Sequence, residues 1–89
     1  MKYYINTIEQ IVNDDNKTYA EYGASEKVND DTTAFTKYYT KLANVSADIG
    51  KKHTYMHIQI INSDGFVLKA EKIGSYIDDN GGKESLKDD

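Results

Sequence analysis

Two histidines, His53 and His57, lie four residues apart in the segment HTYMH and are the first candidates for chemistry. On a helix, side chains four residues apart are neighbours and could bind one metal ion together. On a strand they share one side but lie about 13 Å apart, at roughly 3.3 Å per residue. Residues 53–62 alternate between apolar and polar side chains, which is typical of a strand. We therefore expect both histidines on the outward face of a strand, with no shared metal site.

Other reactive side chains in the sequence do not form a recognisable catalytic pattern. None of the five serines lies in a Gly-x-Ser-x-Gly turn, and the glycines form no phosphate-binding loop. The paired acids Asp14–Asp15, Asp30–Asp31 and Asp78–Asp79 fall in turns or at element ends, where acids favour solubility and helix capping. A glycosidase-like pair of carboxylates needs a cleft that so small a domain cannot enclose. The sequence therefore predicts a protein that is not an enzyme, with no metal and no cofactor.

The composition narrows the class of protein further. The 89 residues suffice for one domain, and the absence of cysteine excludes disulfides and thiolate metal sites. The net charge is −4, and all eleven basic residues are lysine, so the arginine forks that usually hold phosphate are missing. We therefore expect no direct binding of nucleic acid. Because no apolar run could span a membrane and no signal peptide is recognisable, we expect a cytoplasmic protein without a membrane partner.

The first half of the chain predicts a hairpin followed by a helix. Residues 3–12 and 17–23 are rich in β-branched and aromatic side chains and are separated by the turn cluster NDDN. The polar residues 24–31 are expected to lead into the helix, and one of the last three can cap it. From Thr32 to Gly50 the apolar side chains recur at steps of three and four, which predicts an amphipathic helix.

The second half predicts another hairpin, whose register decides which side chains reach the core. The segment HTYMHIQIIN is followed by the turn NSDG and the returning segment FVLKAEKI. A three-residue loop with a left-handed Gly65 would place Ile60 opposite Leu68 and bring Phe66, Leu68 and Ala70 to the core face. A two-residue turn would instead place Ile60 opposite Lys69 and mix polar with apolar side chains. The sequence therefore favours the three-residue loop and its register.

Together these elements predict an α+β fold of ββαββ order. Two β-hairpins form a four-stranded antiparallel sheet, and one helix packs on one face. The domain is expected to span residues 1–77, and the glycine-rich, charged segment 78–89 is expected to be a disordered acidic tail. Because one helix cannot cover both sheet faces, a homodimer that buries the second face is predicted. The apolar residues expected on that face are Tyr4, Ile8, Val12, Tyr19, Tyr55 and Val67.

The helix pattern A-x-x-x-Y-Y-x-K-L, from Ala34 to Leu42, and the hairpin IINSDGFVLKAEKI carry a resemblance. They resemble small, functionally uncharacterised ββαββ proteins that are carried by phages and mobile elements of Firmicutes. The likeness spans residues 3–73. It implies an origin in a phage or mobile element, action in the cytoplasm of the host cell, and a non-enzymatic role, and it carries no site residue over.

Eight tyrosines in so short a chain favour a binding role, because tyrosine is enriched at interfaces. The leading hypothesis is a non-catalytic accessory protein that binds, and by binding can inhibit, a host macromolecule. Its carboxylates could imitate the phosphates of nucleic acid on a basic partner. The alternative is an oligomer that sequesters a nucleotide or metabolite at its subunit interface, with Lys72 reaching around from a position opposite Met56. The candidate binding residues are Tyr4, Tyr19, Tyr55, His57 and Lys72.

Overall fold

The computed structural model describes residues 1–78 and 83–84 and confirms the ββαββ order. Its elements are β1 (Tyr3–Val12), β2 (Tyr19–Val28), α1 (Asp31–Asp48), β3 (His53–Asn62), β4 (Val67–Gly74), β5 (Tyr76–Ile77) and β6 (Lys83–Glu84). The first four strands form one antiparallel sheet in the order β2-β1-β3-β4, and β5 and β6 form a separate ladder. The tail predicted at 78–89 falls mostly on residues outside the described ones.

The core lies between α1 and the two central strands, β1 and β3. Tyr38 of the helix is fully buried against Met56, Ile58 and Ile60 of β3, which alternate along the strand and so share one face. Burying each of these large apolar side chains contributes about 1.5–3 kcal/mol. The edge strands β2 and β4 lie beyond the width that a single helix covers, and most of their residues are exposed.

Both ends of α1 follow from local chemistry that the sequence predicts. The carboxylate of the N-cap residue Asp30 accepts a hydrogen bond from the backbone N–H of Thr33 at 3.0 Å. This bond satisfies one of the N–H groups that lack an acceptor within the helix. At the other end Ile49 is the C-cap, and Gly50 adopts a φ of +88°, which favours glycine over any residue with a Cβ. Among the described residues, no helix has the length and apolar character of a membrane span.

Strand β2 is longer than the sequence predicts. Residues 24–28 were expected in a polar lead-in, but β2 continues to Val28 and pairs with β1 over all ten residues. The long strand β1 is the physical reason, because its backbone N–H and C=O groups need partners along their whole length. The polar side chains of residues 25–27 are tolerated since β2 is an edge strand and these residues are exposed to solvent.

The register of the second hairpin is as predicted beside the turn and wrong beyond it. Gly65 has a φ of +90°, and Ile61 pairs with Val67, as the three-residue loop requires. A bulge then shifts the register by one residue, so that Ile60 pairs with Lys69. This is the pairing that the sequence analysis rejected. A one-residue shift reverses the face of every side chain that follows it.

Phe66 precedes the bulge and is exposed beside the turn, whereas the bulge displaces the side chains that were expected to extend the core farther along β4. In their place, Glu71 accepts a hydrogen bond from the Tyr38 hydroxyl at 3.3 Å, and the Lys69 amine lies 5.9 Å from the ring centre of Tyr39. Polar residues suit this position because β4 lies at the rim of the helix, where water remains within reach. The side chains that the prediction wrongly placed in the core are exposed, and they are Phe66, Leu68 and Ala70.

Candidate functional site

The sheet face opposite α1, called the open face, is the side of the four-stranded sheet that the helix does not cover. Side chains alternate between the two faces of a strand, so the neighbours of each buried core residue point to the open face. Strands β1 and β3 pair antiparallel and contribute facing residues from Tyr4 opposite Ile61 to Gln10 opposite Tyr55. These central residues are Tyr4, Asn6, Ile8, Gln10, Tyr55, His57, Gln59 and Ile61.

The middle of the open face combines a polar stripe with an exposed apolar side chain. The Ser25 hydroxyl donates to the Asn6 carboxamide oxygen at 2.6 Å, and the Asn6 amide donates to the Gln59 oxygen at 3.4 Å. Ile8 lies beside this stripe on a central strand, yet 47% of its surface is exposed. Such a mixture of apolar and amide groups is typical of surfaces that bind other proteins reversibly.

One end of the open face is closed by the chain itself. The carboxamide of Gln10 donates to the Ile77 carbonyl oxygen at 2.5 Å and accepts from the Ile77 N–H at 2.8 Å. The Tyr76 ring packs edge-on against Tyr55, with 5.7 Å between the ring centres. Gln10 and Tyr55 are each only 3% exposed as a result. Gln10 was missed in the sequence, where nothing distinguishes it from the other polar residues of the strand.

The candidate binding residues do not form one cluster. Tyr4 and His57 lie half-buried on the open face, whereas Tyr55 is buried beneath the closing segment. Lys72 pairs with His57 and shares its face; the expected pairing with Met56 is wrong because the β4 bulge shifts the register. His57 and Lys72 line a shallow depression of about 240 Å³. Tyr19 lies at the far end of β2, away from this depression.

A groove of about 360 Å³ opens at the end of the sheet where Tyr19 lies. It runs between the end of the β1–β2 hairpin, the loop after α1 and the segment that follows β4. Its volume lies in the range that small ligands occupy, and Tyr19 and Lys51 give it a hydroxyl and a positive charge. Apolar side chains of Val12, Ile49 and Ile77 line it as well.

A bulge at Thr54 places His53 on the helix side of the sheet, which corrects the predicted outward orientation. Gln10 pairs with Tyr55, but the next residue of β1, Ile11, pairs with His53, so that Thr54 is an extra residue in β3. The extra residue reverses the face of the residue before it. The two histidines therefore lie on opposite faces and cannot bind one ion together.

His53 joins two carboxylates that come from different elements. Its Nε2 lies 2.8 Å from Glu9 on β1, and its Nδ1 lies 2.8 Å from Asp48 at the end of α1. Lys41 makes a further ion pair with Glu9 at 3.0 Å. Both ring nitrogens can donate at once only when the imidazole carries its second proton. We call this group of residues the histidine bridge.

The charges of the histidine bridge have a structural role. Burial raises the pKa of Glu9, but hydrogen bonds from His53 and Lys41 outweigh it and hold the pKa below its ordinary 4.5. The hydrogen bond from His53 likewise lowers the pKa of Asp48. The two nitrogens of the His53 ring point in opposite directions. In the described part of the chain, no group of three or more His, Cys, Asp or Glu side chains could hold a metal ion. The bridge ties β1, α1 and β3 together.

The other groups with shifted pKa values are also held by structural bonds. Burial, followed by the negative charge of Glu71, raises the pKa of Tyr38 to about 12. Hydrogen bonds from the backbone N–H groups of Lys17 and the residue after it lower the pKa of Asp15 in the β1–β2 turn. The hydroxyl and N–H of one threonine in the first helical turn lower the pKa of Asp30. Two of the paired acids in the sequence thus stabilise a turn and a helix end.

These features define a small α+β domain that has one covered and one open sheet face, a groove at one end and a charged bridge inside. Comparisons of the chain with protein-family models, with curated proteins and with solved structures found no match.

Proposed function

We propose that this chain is a non-catalytic accessory protein, of the kind carried by phages or mobile elements, whose open face binds a protein of the host. The exposure of Ile8 is the observation that carries the proposal. Ile8 belongs to a central strand, where neighbouring strands shield both sides, and its exposure leaves an apolar side chain in water at the centre of the face. An uncovered apolar centre with a hydrogen-bonded polar surround suits a reversible protein contact.

The charges of the open face favour a partner protein with an ordinary mixed surface. They do not favour a basic partner that would bind this face in place of nucleic acid. The strand pairings put Glu21, Lys27 and Lys72 on this face, so its charge is close to balanced. The acids Asp15 and Asp30 lie in a turn and at the helix cap instead. A balanced face is a poor imitation of a row of phosphates, whereas it can match the mixed surface of an ordinary protein.

The engagement of the reactive side chains supports a non-catalytic role. A general acid or base must reach a substrate with the atom that transfers the proton. In the histidine bridge both ring nitrogens of His53 contact carboxylates of the chain itself. Tyr38 is fully buried and contacts Glu71. The polar atoms of these groups are engaged in contacts within the chain itself.

A comparison of two exposed apolar positions tests the proposal. The chain, its Ile8→Glu variant and its Phe66→Glu variant are immobilised and exposed to lysate of a Firmicute host. Ile8 and Phe66 are both exposed, but Phe66 lies at the β3–β4 turn. We expect a host protein to be captured by the wild type and by Phe66→Glu and to be lost with Ile8→Glu, provided that circular dichroism shows all three folded. Undiminished capture by folded Ile8→Glu contradicts the proposal.

The salt dependence of capture separates the two kinds of host partner. A contact through the balanced open face should weaken little when the salt concentration rises from about 0.1 to 0.5 M, because few net charges are screened. Imitation of nucleic acid by carboxylates would make the complex strongly sensitive to salt. A steep loss of capture in this range would therefore favour the acidic-mimic hypothesis over the open-face contact.

The groove beside Tyr19 supports a second candidate function, the binding of a small ligand. Lys51 provides the positive charge that would select an anionic nucleotide or metabolite. A thermal-shift screen of nucleotides and metabolites tests this candidate, since a ligand at about 100 times its Kd stabilises the fold by about 2.7 kcal/mol. The stabilisation should disappear in Lys51→Ala and persist in Lys37→Ala, a lysine on α1 outside the groove. A flat screen contradicts the ligand hypothesis.

A second copy of the chain is the remaining partner that the composition suggests. The sequence predicts a homodimer that buries the apolar side chains of the open face. Less apolar surface remains to be buried there than expected, because Tyr76 of the same chain already covers Tyr55. The edges of the sheet provide a different site for self-association.

A further inference from the structure

The two edges of the sheet differ in how they are protected from another strand. Strand β2 is ten residues long, contains no proline, and pairs with β1 without any shift in register. Its residues 21–27 are all exposed. Strand β4 has the bulge at Leu68, and bulges are one of the ways in which proteins block edge pairing. The edge of β2 is therefore the open template for another strand.

We propose that β2 pairs antiparallel with β2 of a second copy of this chain, about a two-fold axis at Ala24. The two four-stranded sheets then join into one sheet of eight strands. An axis perpendicular to the sheet keeps both helices on the same side, so the helix sides and the open faces of the two copies remain continuous. Residues 20–28 of each copy overlap in this arrangement.

The charges on β2 select this register. With Ala24 on the axis, Glu21 of each copy lies opposite Lys27 of the other, and both side chains are on the open face. The pair occurs twice because of the symmetry. An axis moved to Gly23 leaves Glu21 opposite Ser25, which carries no charge. An axis moved to Glu26 places two like charges opposite each other, which is unfavourable.

Gly23 provides an independent observation on the same edge. A glycine within a strand is unfavourable and often marks a close approach of another backbone. Gly23 has no left-handed φ, and a Cβ built on it would meet only the Thr7 carbonyl oxygen at 3.8 Å, an ordinary contact. The isolated chain therefore has no steric need for glycine at this position. In the proposed dimer Gly23 lies opposite Ser25 of the second copy, in the middle of the new strand pair.

The dimer does not depend on the binding of a host protein. Pairing through the β2 edge leaves the open face around Ile8 uncovered and sets two such faces side by side. A dimer of Ile8→Glu should therefore be as stable as the wild-type dimer. Failure of the edge pairing and failure of the open-face contact are separate results.

Disulfide trapping tests the proposed axis directly. The natural chain has no cysteine, so Ala24→Cys introduces a single thiol. Residues directly opposite in an antiparallel pair have Cβ atoms about 4.5–5.5 Å apart, close to the spacing that a disulfide spans. The matched control is Ala70→Cys, an exposed alanine on β4. We expect Ala24→Cys to form a covalent dimer at least about tenfold faster than Ala70→Cys, and equal rates or faster trapping at position 70 would overturn the proposal.

A charge exchange tests the register in the absence of any cross-link. Glu21→Lys and Lys27→Glu each create two like-charged pairs across the axis, and each should raise the dimer Kd by about tenfold. The double variant restores opposite charges and should recover the wild-type Kd to within about threefold. Sedimentation equilibrium measures all four proteins. A wild-type chain that stays monomeric at high micromolar concentration, or a double variant no tighter than the singles, would overturn the proposal.

Discussion

Replacing Glu9 and His53 by glutamine, singly and together, measures how strongly the histidine bridge holds β1 to β3. Glutamine keeps much of the side-chain volume at both positions while removing the Glu9 carboxylate and the His53 imidazole. Comparing the two single variants with the double variant isolates the free energy of the contact between these two residues. The single Glu9→Gln variant should lose more unfolding free energy than the coupling free energy between Glu9 and His53, because it also weakens the ion pair with Lys41.

The geometry sets the expected size of that coupling. The Glu9 oxygen and the His53 Nε2 are 2.8 Å apart, and the two side chains are only 14% and 20% exposed. A hydrogen bond to a charged group contributes about 1.5–3 kcal/mol, and the remaining contact with water reduces this. We expect a coupling free energy of about 1–2 kcal/mol. A loss of that size lowers the melting temperature of a domain this small by roughly 4–16 °C.

Urea unfolding followed by circular dichroism at pH 6 is the assay. The matched control is the same comparison of single and double glutamine variants, a double-mutant cycle, at Glu26 and Lys37. These residues form an ion pair at 2.9 Å, and their side chains are 57% and 47% exposed. That exposed pair should couple by less than about 0.5 kcal/mol. If the coupling between Glu9 and His53 is no larger than that of the control, the structural role assigned to the bridge is wrong.

The pH dependence of the same cycle has a defined sign. The pKa of folded Glu9 lies below its ordinary value of 4.5, so the carboxylate binds its proton less readily in the folded than in the unfolded chain. The stabilisation is therefore fully present above pH 4.5 and is lost as the pH falls through the folded-state value. The coupling with His53 should be smaller at pH 3 than at pH 6. An unchanged coupling at pH 3 would refute this account of the charges.

Two further substitutions probe the contacts around β3 and β4, and a third, on β2, is the control for one of them. Tyr38→Phe removes the hydrogen bond to Glu71 and should destabilise the fold by about 0.5–1.5 kcal/mol in urea unfolding, and no loss would mean that the bond is not formed. Because the pKa of Tyr38 is raised to about 12, its contribution is complete below pH 10 and is lost as the pH rises through about 12, so ultraviolet absorbance should show a tyrosine that ionises near pH 12 in the wild type and is missing in Tyr38→Phe. Gly74→Ala should cost about 1–3 kcal/mol, because Gly74 has a φ of +77° and a Cβ there would overlap the Thr54 carbonyl oxygen. Gly23→Ala in dilute, monomeric protein should change the unfolding free energy little, because a Cβ there meets only an ordinary contact. Equal losses of stability in Gly23→Ala and Gly74→Ala would contradict this difference between the two glycines.

The elements whose signals are local could be predicted from sequence. The apolar period places the helix correctly, and Asp30 was among the expected caps because its side chain can bond to the first turn. The alternation in residues 53–62 identifies β3, and the turn sequence predicts the left-handed Gly65. Each of these features depends on residues within a few positions of one another.

The candidate site depended on contacts that no local signal reports. The closing of the open face requires Gln10 to meet Ile77, 67 positions later in the chain. The histidine bridge joins Glu9 to His53 across two strands. The sequence analysis weighed His53 only together with His57, since the identity of its partners depends on how the strands pair.

Sequence alone determined the class of fold, the absence of disulfides in a chain without cysteine, and the surplus of tyrosine. Tertiary structure decided which face each residue of β3 and β4 occupies. Alternation assigns faces correctly only while every residue of a strand has one partner, and the bulges at Thr54 and Leu68 break that condition. A bulge inserts one extra residue into one strand of a pair, so its position is known only once the two strands are paired. For that reason the sequence pattern placed His53 and Ala70 on the wrong faces, and only the assembled sheet corrected them.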